Sequence, residues 1–362
     1  MRLLQEPALH HKKILLLDRS PKNKNDRTWC FWEKENGLFE PIVHHHWQSI
    51  QFKSSQFSST LDIAPYTYKM IRGIDFYDHV MQYATGFSNV EFRYENVMSI
   101  SSENDQATVI TDQQTYTADY IFNSILFEKP ASVKGKHYLQ QHFKGWMIET
   151  KEPIFDPSIA TFMDFTIEQK NGTEFMYVLP ISSTKALVEY TLFTEDLLPQ
   201  EEYSAALKEY IRSKLKINDY TIEQEEFGII PMTNHRFAKH NGNIVNIGIA
   251  GGAAKGSSGY AFQFIQKRTK TIVQSLLRSN HPFTNTSMAE KKFHFYDSIL
   301  LNVLIRKRMK GDKIFSDIFS KVKPANILRF LDNETDLLQD LQIINSLPTA
   351  PFLSAAFEEM LS

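Results

Sequence analysis

Residues 179–193, LPISSTKALVEYTLF, read as β-structure with no polar face. Strand alternation sets Leu187, Glu189, Thr191 and Phe193 on one side and Ala186, Val188, Tyr190 and Leu192 on the other. A strand apolar on both sides needs a sheet covered on both sides, so the chain must build a layer above it and another below. One carboxylate, Glu189, is carried into that setting. Loss of hydration favours the protonated form of such a group. A protonated Glu in a dry site is a proton donor suited to chemistry on a hydrocarbon. The alternative is a structural carboxylate, at a strand end or paired with Lys or Arg.

At 362 residues the chain is long enough for two domains or one large interleaved one. A net charge of −2 offers no basic footprint for nucleic acid. Cys30 is the single cysteine, which excludes a disulfide framework and fits a reducing cytosol. No apolar run approaches the roughly 20 residues that span a bilayer, so the expectation is a soluble or peripherally attached protein. The 27 phenylalanines against 14 glycines are core material first; they also suit a long apolar tunnel, and composition does not separate the two.

Residues 13–18, KILLLD, form a short apolar run ending in an acid. In dinucleotide-binding folds the second strand ends this way and its acid bonds the ribose hydroxyls, which makes Asp18 a candidate for cofactor binding. The first strand and its Gly-x-Gly-x-x-Gly turn belong roughly 20 residues before that acid. Only 17 residues precede Asp18, and none is glycine. The expectation is a chain that begins inside the first βαβ unit and lacks the βα phosphate-loop unit, because the helix N-terminus and its glycines are the main pyrophosphate site. The other reading is a chain that does without this loop.

Residues 72–85 have the spacing of an amphipathic helix, and 90–99, 107–111 and 115–123 read as strands. Candidates at 143–149, 161–168, 174–179 and 185–192, with a turn at Lys170-Asn171-Gly172, make an antiparallel sheet. Residues 201–215 read as a helix, 244–249 as an apolar strand, and the pattern from 289 onward is helical. The small residues Gly251-Gly252-Ala253-Ala254 and Gly256-Ser257-Ser258-Gly259 follow that strand. They let a backbone approach a flat ring or a phosphate ahead of a helix N-terminus, or simply make a tight turn. Residues 26–32 put charge beside three aromatic rings and read as a loop anchored by its tryptophans. His44-His45-His46 alternate faces on a strand without a further ligand set, so they read as surface histidines and no metal site is expected. Residues 296–310 carry an apolar stripe and the cluster Arg306-Lys307-Arg308. That pattern suits a helix packed on the body or, as a second reading, an interfacial helix near anionic headgroups.

Eight segments carry a family resemblance in a fixed order: DRTWCFWE (26–33), YKMIRGIDFY (68–77), QHFKGWMIET (141–150), FMDFTIEQKNGTEFMYVLP (162–180), LVEYT (187–191), EEFGIIPMTN (225–234), GAAKGSSGY (252–260) and SLPTAPFLSAAF (346–357). Over roughly residues 10–360 the chain resembles the carotenoid lycopene β-cyclases of the bacterial type, most nearly those of Bacteroidetes-like bacteria. The resemblance implies an α/β, flavoprotein-hydroxylase-like fold. Residues 1–136 and 225–280 would form the FAD-binding part, 137–224 an antiparallel substrate sheet, and 281–362 a helical C-terminal part. It implies cyclisation of the acyclic ends of lycopene to β-rings, giving γ-carotene and then β-carotene. That is an intramolecular lyase or isomerase reaction without net redox change, with reduced FAD as cofactor and NADPH as reductant. Glu189 would be the acid. Asp18, Arg27, Gly251, Gly252, Ala253, Gly256, Ser258 and Gly259 would hold FAD, with Gly252 in place of the usual acid after the first glycine. Trp29, Phe31, Tyr190 and Tyr260 would contact substrate, the 26–32 loop lying over flavin or polyene. The implied partners are lycopene, a membrane lipid surface and other carotenoid enzymes, and the implied location is the cytoplasm, peripheral to the inner face of the plasma membrane. Two rivals keep the fold: a redox flavoenzyme acting on an isoprenoid, as hydroxylase or reductase, and a truncated inactive binding protein.

Overall fold

The computed structural model describes residues 1–127 and 136–361. Residues 128–135, within the expected FAD-binding part, and Ser362 lie outside the described residues. From the N-terminus, β1 (Ile14–Asp18), β2 (Thr28–Glu33), β3 (His45–Trp47), β4 (Ser49–Lys53), β5 (Ser58–Asp62) and β6 (Thr67–Arg72) lead to α1 (Gly73–Thr85). Next come β7 (Val90–Tyr94), β8 (Val97–Glu103), β9 (Gln106–Thr111), β10 (Thr115–Ala118) and β11 (Ile121–Asn123). β12 (Tyr138–Glu149), β13 (Ile159–Asp164), β14 (Thr173–Pro180) and β15 (Lys185–Thr194) precede α2 (Gln200–Ser213). β16 (Thr221–Thr233), β17 (His240–Asn241) and β18 (Ile244–Asn246) are followed by α3 (Phe262–Ser279), α4 (Met288–Ile305), α5 (Gly311–Lys321), α6 (Pro324–Leu331), α7 (Leu337–Ser346) and α8 (Thr349–Leu361).

The doubly apolar strand is β15, third in a seven-stranded sheet of order β16-β12-β15-β14-β13-β4-β5. Both faces are covered, as its pattern requires. On one side Val188, Tyr190 and Leu192 pack against Tyr203, Leu207 and Tyr210 of α2. On the other, Tyr177, Leu187 and Phe193 join a large aromatic cluster with Trp32, Tyr68, Phe162, Phe315 and Phe319. The sheet takes in β4 and β5, and β16 runs across residue 225, so it is wider than the 137–224 span.

Residues 26–32, read above as a loop, instead lead into β2, which pairs with β6 in a three-stranded sheet with β3. Both faces of β2 bury rings. Trp29 and Phe31 pack on Phe262, while Trp32 packs edge-on to Tyr260. A strand apolar on both faces hides the alternation that marks a half-buried strand. The run at 90–99 breaks at Glu95, whose carboxylate leaves the ladder to accept hydrogen bonds from Thr111 and Tyr116. The strand expected over 244–249 stops at Asn246, because Gly248 at φ 56° turns the chain into the 3₁₀ turn Gly248–Gly251.

β1 pairs with β7 and β11 with β18, both parallel. Asp18 and the Gly248–Gly251 turn therefore stand at the carboxyl ends of parallel strands, where α/β sheets bind ligands.

Candidate active site

β12 is flanked by β15 and β16, and Gly145 at its centre is in register with Glu189 on one neighbour and Glu226 on the other. Residues in register share a face, so both carboxylates rise from the same side of the sheet with a glycine between them. A Cβ at position 145 would lie 3.0 Å from Glu226 Cγ and 3.1 Å from Leu187 Cδ1. The missing side chain leaves the space into which Glu226 leans, and each acid feels the other. Two carboxyl groups sharing a buried site favour holding one proton between them. Thr191 donates to Glu189 Oε1 at 2.7 Å, and Thr28 of β2 donates to Glu226 Oε2 at 2.8 Å. Among the described residues no Lys or Arg pairs with either acid.

Burial raises the Glu189 carboxyl from the ordinary carboxylate range to about 8, and the neighbouring Glu226 charge pushes the same way. Burial likewise raises Glu226. Glu189 keeps part of its surface accessible, whereas Glu226 is buried. A cavity of about 410 Å³ opens beside Glu226. Met70, Met147, Leu187 and Glu226 line it, and Arg72, Lys185 and Gln224 lie toward its polar side.

The remaining neighbours are neutral donors. Tyr177, across the ladder from Glu189, shares a 3.2 Å hydrogen bond with the Tyr260 hydroxyl, and Tyr68 and Cys30 stand close enough to feel it. Burial drives all three phenols far above their ordinary value, so they stay protonated. The Cys30 thiol is pushed up by burial and then by the Glu189 charge, which leaves it inert as a nucleophile.

The loop carrying Tyr260 is fixed from below. Lys255, with no side-chain exposure, donates to Asp297 Oδ1 of α4 at 2.7 Å and to Asn333 Oδ1 at 2.7 Å. Ser257 donates to the same Asp297 oxygen at 2.6 Å. Gly252 and Gly259 adopt left-handed backbone, φ 74° and 70°, and a Cβ at Gly259 would strike Gln141 Oε1 at 2.2 Å. Gly256 packs with its Cβ position 2.8 Å from the Thr233 carbonyl. Gly251 O accepts from Arg268 at 2.7 Å, and Ala253 is buried beside it.

Of the residues singled out from sequence, Glu189 and Tyr260 come together through Tyr177. Trp29 and Phe31 sit on the opposite face of β2 from Thr28 and Cys30, against Phe262. Tyr190 points to the α2 side of the sheet and donates to Glu174. Asp18 ends β1, ion-paired with Lys22 at 3.1 Å, and Arg27 is held by Asp26 at 2.9 Å. Glu226 was not singled out, although it lies in the quoted segment 225–234. The available signal was Gly145, since a glycine inside a strand marks close approach of another group. His45 bonds the Pro157 carbonyl, and among the described residues no His, Cys, Asp or Glu cluster is arranged for a metal ion.

Parallel strand pairs ending at an acid and a glycine turn, beside a broad mixed sheet and a helical C-terminal part, make the fold of the FAD-dependent hydroxylase- and halogenase-like flavoproteins. Similar solved structures include a flavoprotein/dehydrogenase from Cytophaga hutchinsonii (TM-score 0.63, 11% identity, 97% of this chain and 94% of that one) and a geranylgeranyl bacteriochlorophyll reductase-like protein from Thermoplasma acidophilum (TM-score 0.55, 12%, 98% and 91%). The family model described as lycopene cyclase protein matches residues 3–357, and the chain belongs to the lycopene cyclase family. Its relatives include the lycopene beta-cyclases of Pantoea ananas, 25% identical over 249 residues and 63% of this chain, and of Paracoccus sp., 25% over 230 residues and 59%. Those alignments span 57% and 58% of the two relatives' own length.

Proposed function

We propose that this chain is a lycopene β-cyclase, converting lycopene to γ-carotene and β-carotene without net redox change. The observation that carries the reading is the Glu189 carboxyl group, raised by burial to about 8 and set across Gly145 from Glu226 of the cavity wall, in a family of lycopene cyclases. Glu189 donates its proton to the terminal alkene of an acyclic end held in the cavity. The tertiary cation closes on the neighbouring double bond, and loss of a ring proton completes the β-ring. Met70, Met147 and Leu187 exclude water from the cation, and the Tyr177 and Tyr260 rings add π faces nearby.

The residues present fit FAD. The Ser258 hydroxyl, the Gln141 amide oxygen and the Trp29 indole N–H are buried without protein partners among the described residues, and all three lie around the 251–260 loop or the start of α3. Gly251, Gly252, Ala253, Gly256, Ser258 and Gly259 would hold the ring end, with Asp18 and Arg27 toward the nucleotide end. Reduced FAD, with NADPH as its reductant, would supply negative charge that stabilises a cation.

The pH dependence follows from the raised carboxyl. The acid form of Glu189 is the active one, so cyclisation should persist below about pH 8 and fall as pH rises through that value. Initial rates of lycopene loss at constant flavin reduction check this; a profile flat to well above that pH contradicts it.

We also place the lipid contact on α7 and α8 rather than on the 296–310 helix. α4 buries Phe293, Leu301 and Val303, whereas Leu338, Phe357 and Met360 stand 74%, 65% and 71% exposed. Arg306 and Lys307 are exposed, next in sequence to Arg308, which pairs with Glu358 of α8. Among the described residues no helix is long and apolar enough to cross a membrane. Burying such side chains at an interface is worth about 1.5–3 kcal/mol each, so Leu338→Glu with Phe357→Glu should weaken binding to anionic vesicles at least tenfold. Co-sedimentation measures this, and unchanged binding removes the assignment.

A further inference from the structure

The reaction proposed above both gives a proton to the substrate and removes one, and a single buried acid accounts only for the first. We propose that Glu226 is the second catalytic residue: with Glu189 it forms a carboxyl pair holding one proton, and the member left ionised takes the proton that leaves the ring. This rests on the cyclase reading and adds to it a residue and a proton cycle.

Four observations converge on Glu226. It is in register with Gly145, as Glu189 is from the other side, so the sheet itself brings the two acids onto one face. The missing side chain at Gly145 is filled by Glu226, whose Oε1 lies 3.3 Å from the vacant Cβ position. Glu226 lines the cavity, so it meets whatever occupies that space. Thr28 donates to Oε2 alone, a bond that orients the carboxyl group and supports its ionised form. Like charges this close cannot both persist in a dry site, so the pair settles at one proton over the working pH range.

The cycle balances. The protonated member gives H⁺ to the terminal alkene carbon, whose π electrons form the new C–H bond. The resulting tertiary cation accepts the π electrons of the neighbouring double bond, forming the ring C–C bond and a ring cation. An adjacent C–H then loses H⁺ to the ionised member, and its electron pair becomes the ring double bond. The pair ends with one proton, and no electron is gained or lost. The next end of the polyene meets the same pair with the proton on the other carboxyl group or back on the first.

The test compares wild-type protein with Glu226→Gln and Gly145→Ala, in lycopene-accumulating bacteria and as purified protein. Glu226→Gln keeps the shape and removes the base, so cyclised product should fall roughly 10²-fold, as general-base loss typically does. Gly145→Ala puts a methyl group where Glu226 leans and should lower product with both acids intact. A readout independent of turnover is the infrared C=O stretch of a protonated carboxyl group, assigned by ¹³C-glutamate labelling and titrated with pH. Wild-type protein should show one such proton lost in the alkaline range, and in Glu226→Gln the remaining transition should move to lower pH as the neighbouring charge disappears. Active wild type with an equally active Glu226→Gln protein, or an unmoved infrared titration, overturns the pair alone. Wild-type protein that turns over no lycopene overturns the cyclase reading, and the role of the pair with it.

Discussion

Glu189→Gln should all but abolish cyclisation while the protein stays folded and still takes up substrate. The amide matches the carboxyl in size and can still accept from Thr191 Oγ1, so β15 keeps its packing. What disappears is the transferable proton. General acid catalysis contributes about 10²- to 10⁴-fold, and the loss should approach the upper end because Glu226 alone cannot serve as both acid and base, and Cys30, Tyr68, Tyr177 and Tyr260 all hold their protons tightly. Glu189→Asp should fall between, or lower, since a shorter side chain withdraws the proton from the cavity. Pigment analysis of lycopene-accumulating cells expressing each variant gives the answer. Wild-type-like β-carotene from Glu189→Gln returns this residue to a structural role.

The largest effect on stability is expected at Asp297. Its carboxylate is the counter-charge of Lys255, whose side chain has no exposure. It also takes the Ser257 hydroxyl, so two polar groups lose this partner when it is removed or truncated. Breaking a buried ion pair on one side leaves an uncompensated charge and costs about 3–5 kcal/mol. Asp297→Ala should lower the unfolding free energy from urea titration by that amount, and Lys255→Met combined with Asp297→Leu should recover much of it, because an apolar pair of similar volume is often close to neutral. A single variant within about 1 kcal/mol of wild type would show that Asn333 and the faces of Phe293 and Phe330 suffice to hold the cation.

The contrast between these two sites marks what the sequence could reveal. Glu189 was legible because its surroundings are local: the residues that dry it out are its own strand neighbours, Leu187 to Phe193. The helices at Gly73–Thr85 and Gln200–Ser213 were legible for the same reason, each carrying its apolar stripe within one segment. Glu226 and Asp297 were not. Glu226 follows another acid, Glu225, and only the antiparallel register of β16 on β12 sets one toward Glu189 and the other toward Lys144. Asp297 lies in an amphipathic helix where an acid reads as solvated surface, and Lys255 sits in a glycine loop where a cation reads the same way. Their pairing is a tertiary fact.

β2 failed differently. Trp29, Cys30, Phe31 and Trp32 are apolar at successive positions, which erases the period of two and left a charged, aromatic loop as the natural reading. The structure assigns the two faces separate partners, Trp29 and Phe31 to Phe262, Cys30 and Trp32 to the cluster beside Glu189. The family resemblance identified the segment without distinguishing its faces.

The most direct test of the account is the mass balance of one reaction. Purified protein, with FAD reduced anaerobically by a measured amount of NADPH, is given lycopene in liposomes, and product mass and reductant consumption are followed together. The account predicts a cyclic product of unchanged mass, many turnovers for each reductant consumed, and β-rings at the ends. A product carrying added hydrogen or oxygen, formed with reductant consumed one for one, would contradict it and make the chain a redox flavoenzyme of the same fold.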